Sequence, residues 1–326
     1  MFSFKNIACK TAIIIGLLPF FAAMAAASDG ARALLAQGRV DEAVSTLRGE
    51  INASPNNAED QNLLCRAYFT LGQWDQGIAA CQKAVALDPG NSRYHLWLGR
   101  IYGEKAEAAS FLSAAALAKK VRSEFELAVQ LNPSNIDART DLAEFYLEAP
   151  GIVGGGKDKA QAQAQSLAIL DPAKAHWVNA RLAEKKKDFT SAGNEYRAAI
   201  GASHGSANSW LNMASFYRRM GRLDDMELAI QRATAAQVDP AGTLMDAAEL
   251  LIRTKRNVPE SVRLLRQYLS SRSTVEQAPA FKAHYLLGTV LEQQGNKQGA
   301  AQEYRAALAL AKDFSPAHQA LDRINR

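Results

Sequence analysis

Few residues in this chain have both the type and the spacing to do chemistry. Gly151-Ile152-Val153-Gly154-Gly155-Gly156-Lys157-Asp158 has the G-x4-G-K outline of a phosphate-cradling loop. Such a loop needs Ser or Thr after the lysine to reach Mg²⁺, whereas here Asp158 brings a carboxylate that repels phosphate. It also needs a preceding strand, and the stretch ending near Ala149 reads as helix. The glycines therefore read as an inter-helix turn using φ > 0, although successive N–H groups at a helix start can hold an anion weakly. An enzyme or a nucleotide- or anion-binding protein using residues 151–158 is the alternative reading. The histidines are His95, His176, His204, His284 and His318. No H-E-x-x-H, no C-x-x-C and no Ser/His/Asp set at fixed offsets accompanies them. The sequence thus points to a non-enzyme, with no catalytic residue, cofactor or metal ligand to name.

Composition narrows the class further. In 326 residues, 48% are apolar, ample for a packed core and too many for a disordered chain. Lys and Arg number 38 against 33 Asp and Glu, a formal charge of +5. The first 27 residues hold only Lys5 and Lys10, so without them the count is 36 against 33, or +3. That bias is too small to argue for nucleic acid. Three cysteines exclude a disulfide-dense miniprotein.

The amino terminus reads as an address. Lys5 and Lys10 precede the apolar run Ile13-Ile14-Ile15-Gly16-Leu17-Leu18-Pro19-Phe20-Phe21, which closes in Ala25-Ala26-Ala27. This is a secretory signal peptide over 1–27 with cleavage near Ala27, in a bacterial style. The mature chain, 28–326, is expected in the periplasm or outside the cell, touching membrane only through the transient signal.

The elements that position the remaining candidates recur at one interval. Pro55 and Pro89, Gly38 and Gly72, and Tyr68 and Tyr102 are each 34 apart, and Pro172 and Pro240 are 68 apart. A 34-residue period marks helix–turn–helix units that cannot bury their apolar faces alone and must stack. The unit from Ala58 to Asn91 resembles the tetratricopeptide (TPR) consensus at Leu64, Tyr68, Gly72, Ala84 and Pro89. The resemblance covers nearly the whole mature chain. It implies an all-α, right-handed α-α superhelix of about eight units, with insertions near 103–118 and 150–156. A C-terminal capping helix follows Ser315-Pro316, its apolar face carrying Ala317, Ala320, Leu321 and Ile324. Small residues at Ala43, Gly77, Ala160, Ala192 and Ala300 are expected where the two helices of a unit touch. The segment from Tyr102 to Lys120 followed by 149–160 looks like a pairing found in uncharacterised exported bacterial envelope TPR proteins.

Two partner surfaces follow from the resemblance. Arg32, Arg66 and Arg100 are 34 apart and take the ninth, groove-facing position of the first helix. Arg181 takes it in the fifth unit, and Glu144 interrupts the ladder in the fourth. Stacked guanidinium groups favour carboxylates of an acidic protein or peptide. Phe69, Leu96, Trp177, Leu211 and Tyr285 are expected to face the same groove as apolar anchors. The second surface is the edge carrying both insertions, with Phe111, Leu112, Ile152 and Val153 as exposed tips. By the same resemblance Cys65 and Cys81 face inward on the two helices of one unit. They are either bridged, closing a loop of about 17 residues, or two buried thiols acting as small apolar groups. The expected function is a non-catalytic protein-binding scaffold in the cell envelope.

Overall fold

The computed structural model describes residues 29–237, 242–271, 275–276 and 278–325. The signal segment 1–27 and the expected start of the seventh unit at Ala241 lie outside them. Helices follow one another in antiparallel pairs. The pairs are α1 (29–36) with α2 (Val40–Ala53), α3 (Ala58–Leu71) with α4 (Trp74–Leu87), α5 (Ser92–Glu107) with α6 (Phe111–Leu131), and α7 (Ile136–Glu148) with α8 (Lys157–Leu170). The remaining pairs are α9 (Pro172–Lys185) with α10 (Phe189–Ala202), α11 (Ala207–Arg219) with α12 (Leu223–Thr234), α13 (Thr243–Thr254) with α14 (Val258–Ser270), and α15 (Ala280–Gln293) with α16 (Lys297–Leu310). Helix α17 (Ser315–Ile324) closes the series. Among the described residues the only β-pairing is an isolated bridge between Val275 and Ala278.

Local chemistry starts and stops these helices. Asn57, Asn91, Asn135, Asp171 and Ser206 cap successive odd-numbered helices, each side chain accepting from a backbone N–H of the first turn. The turn into the even-numbered helix uses a left-handed residue at Gly38, Gly72, Gly221 and Gly295, with φ between 71° and 81°. Lys187 and Lys255 take the same place, 34 residues either side of Gly221, at φ 61° and 53°. A Cβ is strained in that conformation.

Packing within a unit depends on small residues. Ala43, Ala160, Ala192 and Ala300 are fully buried. A Cβ added to Gly77 would sit 3.2 Å from Tyr68 Cβ of its own unit and 2.1 Å from Ile101 Cδ1 of the next, and one on Gly288 would sit 2.6 Å from the Tyr304 ring. Between units, polar links repeat in register. Arg48 donates to the Tyr68 hydroxyl, Gln82 donates to that of Tyr102, and the Tyr146 hydroxyl donates to Glu126; each pair is 20 residues apart.

The two insertions take different forms. The first is no loop: it lengthens the hairpin, so that α6 has 21 residues against 14 in α4. The second folds into a 3-10 turn, Gly151–Val153, laid against α6.

The arc of units closes on itself. The backbone N–H of Lys312 donates to Asp41 at 2.8 Å. Gly38 approaches Ala280 so closely that a Cβ would meet its nitrogen at 2.6 Å. Arg66 on α3 pairs with Glu276, 210 residues away. Phe281, Phe314 and Ala317 join the hydrophobic core of the first five units. As a result α3 is buried on nearly every side, its polar residues Asp60, Gln61 and Asn62 included.

Cys65 and Cys81 are joined in a disulfide between α3 and α4, with 5.2 Å between their Cα atoms. That separation lies within the ordinary range for a bridge, and the first of the two readings of this pair holds.

Two outcomes follow. Replacing Lys255 or Lys187 by Gly removes the left-handed strain while adding some unfolded-state entropy, so each change is expected to stabilise by about 0.5–1 kcal/mol. Chemical denaturation showing a loss instead would overturn that account of the turn. Breaking the bridge with Cys65→Ser/Cys81→Ser is expected to cost about 3 kcal/mol, read from the shift in denaturation midpoint.

Candidate functional site

The odd-numbered helices line the inner face of the arc. On α5, Arg93, Trp97 and Arg100 are spaced four and three apart and so share one face. The guanidinium of Arg66 lies 5.0 Å from the Trp97 ring centroid and that of Arg100 lies 4.9 Å from it, both within cation–π range. Together with Arg32, Arg93, Asn91 and Asn135 they line a recess of about 820 Å³. Four arginines in this lining outnumber its two carboxylates, Asp88 and Asp137.

Arg32, Arg66 and Arg100 line this recess together, and each of them, like Arg181, is paired within the chain. Arg32 bonds Asp29 at 2.8 Å and Glu59 at 2.6 Å. Arg66 holds Glu276, and Arg100 holds Asp141 at 2.6 Å. Arg181 bonds Glu148 at 2.5 Å and Glu184 at 3.6 Å, and stands outside the recess. Glu59 serves two arginines at once, since Arg93 also donates to it at 2.7 Å.

The anticipated anchors divide. Phe69 is half-buried and meets Trp74 and Trp97 edge-on at 6.0 and 5.5 Å. Leu96 is buried in the wall of the recess. Trp177 lines a second recess of about 230 Å³ with Lys174, Ser206 and Asn208. Leu211 lines a third, of about 240 Å³, with Asn212, Asp246 and Glu249. Tyr285 packs its ring against Tyr304 and Phe314.

The inner face therefore changes sign along the arc. Burial first, and the neighbouring Glu249 charge second, push the Asp246 carboxyl up to about 6. Burial also raises Glu104 and lowers Lys282, which face one another across the arc from the third and eighth units.

The insertion edge needs one correction. Phe111, Leu112 and Ile152 are 85, 81 and 87% exposed, but Val153 is only 5% exposed and is not a tip. The 3-10 turn rolls it inward, where its carbonyl accepts from Arg122 at 3.3 Å. In the glycine-rich loop, Lys157 is directed at the Lys185 carbonyl, 3.2 Å away. Gly156 donates its N–H to the Tyr146 carbonyl at 2.9 Å. Gly155 lies so close to Ala149 that a Cβ would overlap its oxygen, so the glycines serve a tight helix-to-helix turn.

The three histidines in equal register are helix-to-helix ties. His95 meets Glu124 at 2.6 Å, and His176 meets Glu195 and His284 meets Glu303 at 2.7 Å. The separations are 29, 19 and 19 residues, so the ten inserted residues leave the contact unchanged. The Glu124 bond raises the His95 pKa against the effect of burial. Among the described residues no group of three or more His, Cys, Asp or Glu side chains could hold a metal ion, and no helix is long and apolar enough to cross a membrane.

Trp97, Arg93 and Asp246 were not singled out by the sequence reading. The first two carry a usable signal, their spacing from Arg100 on one helical face. Asp246 carries none, because its environment comes from the inner wall as a whole.

Residues 34–101 and 253–314 each match a family profile described as tetratricopeptide repeat. Yeast Tom70 aligns over 88% of this chain and 58% of its own, with TM-score 0.53 and 14% identity, a likeness of fold. A tetratricopeptide repeat protein from Parabacteroides merdae aligns over 94% of this chain and 100% of its own, with TM-score 0.48 and 12% identity. A thermophilic TPR protein from Thermus thermophilus aligns over 58% and 98%, with TM-score 0.49 and 18% identity. No curated protein sequence matches. Stacked antiparallel hairpins with a concave inner wall define the class, an all-α repeat superhelix. The chain is a tetratricopeptide-repeat protein.

The raised Asp246 carboxyl gives a signed test. Its folded pKa of about 6 stands above the ordinary 3.8, so ionising it costs folded stability as pH rises past both values. Asp246→Asn is expected to raise the melting temperature at pH 8 and to have little effect near pH 4. Equal shifts at both pH values would show that the substitution acts through packing instead.

Proposed function

We propose that this protein is a non-catalytic scaffold of the bacterial cell envelope that holds an acidic protein or peptide against the basic recess of its second and third units. The TPR fold supports the scaffold part, since such solenoids present extended inner surfaces to protein partners. The observation that carries the choice of surface is Trp97 with Arg66 and Arg100 stacked on it, beside Arg32 and Arg93, over a recess of about 820 Å³. Planar guanidinium groups bind carboxylates in two-point fashion, and an aromatic floor adds contact area at low entropic cost. Export is supported by the segment 1–27 and by the Cys65–Cys81 bridge, which suits an oxidising compartment. Mass spectrometry of the mature protein should find a start near Ser28.

A second reading rests on the insertion edge, where Phe111, Leu112 and Ile152 stand open to solvent. Photo-crosslinkers placed at Trp97 and at Phe111 separate the two. Trapping from Trp97 supports the recess, and trapping from Phe111 alone supports the edge.

The recess makes a quantitative demand. Removing a charge-assisted bond costs about 1.5–3 kcal/mol, so Arg93→Glu with Arg100→Gln should weaken partner binding at least about tenfold. Unchanged affinity, with the circular dichroism melt preserved, would exclude the recess as the site.

A further inference from the structure

Resting on the recess reading above, we propose that Glu276 is a built-in competitor, occupying at Arg66 the place of a partner's carboxylate, and that an acidic peptide binds by displacing it. The geometry is that of a ligand contact. Arg66 donates from Nε to Glu276 Oε1 at 2.8 Å and from Nη2 to Oε2, giving the two-point fork that guanidinium makes with a carboxylate. The two residues are 210 apart in sequence, and both are largely buried. Glu276 stands on a tight turn in which the Ala278 N–H donates to the Val275 carbonyl at 3.1 Å, and the Tyr268 hydroxyl secures the turn by donating to the Ala278 carbonyl. The carboxylate thus reaches Arg66, a residue of the recess lining, from the opposite end of the arc.

A second observation is independent of that pair. Asn62 lies one turn before Arg66 on the same face of α3, is 0% exposed, and has no hydrogen-bond partner for either amide atom. Buried polar groups are nearly always paired, and an orphaned amide is destabilising. An asparagine amide offers one donor and one acceptor side, the complement of a peptide backbone. Displacing Glu276 would free Arg66, with Trp97 beside it, for an acidic side chain, and would open Asn62, one turn away and outside the recess lining, to a peptide backbone. In the closed arc Glu276 satisfies Arg66 but leaves Asn62 unsatisfied, so the internal contact reproduces only half of that ligand.

The test uses the full mature chain and a fluorescein-labelled octaglutamate peptide, followed by anisotropy. Glu276→Gln is expected to bind at least tenfold more tightly than the unaltered protein, and adding Arg66→Gln is expected to abolish the gain. If Glu276→Gln binds no more tightly while Arg93→Glu still loses the peptide, Glu276 is no competitor and the recess reading stands. If the peptide binds none of the variants, the competitor is overturned along with the acidic partner class. A measurement on the unaltered protein guards against misfolding of the variants. Saturating peptide should speed hydrogen exchange at Val275 and Glu276 while slowing it along α3, and unchanged exchange at Val275 and Glu276 with peptide bound would overturn displacement.

Discussion

One constraint governs this structure: no hairpin of two 14-residue helices can bury its own apolar face, so each must be completed by the next. The helices must then approach closely, and that requirement fixes the residues at the crossings. Ala43, Ala160, Ala192 and Ala300 are fully buried at these crossings, and large side chains fill the space that glycines leave, Ile101 at Gly77 and Tyr304 at Gly288. Polar links between units fall in the same register because the apolar contacts set that register first. The disulfide, the histidine ties and the tyrosine hydroxyls decorate a stack whose geometry hydrophobic burial has already determined.

Closure of the arc changes what the inner wall can be. In an open stack Arg32, Arg100 and Arg181 would keep the acids of their own and neighbouring units, but Arg66 would have no such partner. Here Glu276 reaches Arg66 from the far end, and α3 loses most of its solvent face. Burial in the inner wall makes charge costly, which is why Asp246, Glu104 and Lys282 all shift in the direction of their neutral forms, Glu104 and Lys282 against their mutual attraction. The wall is basic near Trp97 and acidic near Asp246, and a partner threading it would meet both signs.

Much of this architecture was legible from periodicity. The 34-residue interval located the units, the small residues at the crossings and the arginines of the inner wall, because helix-pair stacking repeats the same local problem at each step. Val153 was misjudged as exposed because an apolar residue in a glycine-rich insertion looks the same whether its turn rolls outward or inward. The register contained Trp97 and Arg93, which lie on the face of Arg100 but outside the single position followed along the repeats. Glu276 could not have been found this way. Its contact depends on the accumulated rotation of every intervening unit, a sum of small angles that no local pattern encodes.

The join between Asp41 and Lys312, with Gly38 against Ala280, has a consequence for how this molecule can vary. An open stack can gain or lose a unit at modest cost, since each touches only its neighbours. A stack whose final unit docks on its first must keep count: one hairpin more or fewer would misalign the seam and strand Phe281 and Phe314 without their packing partners. Length here is a structural variable held by the seam, and drift in this lineage should therefore appear as insertions within hairpins, as at 103–118 and 150–156, while the number of hairpins stays fixed.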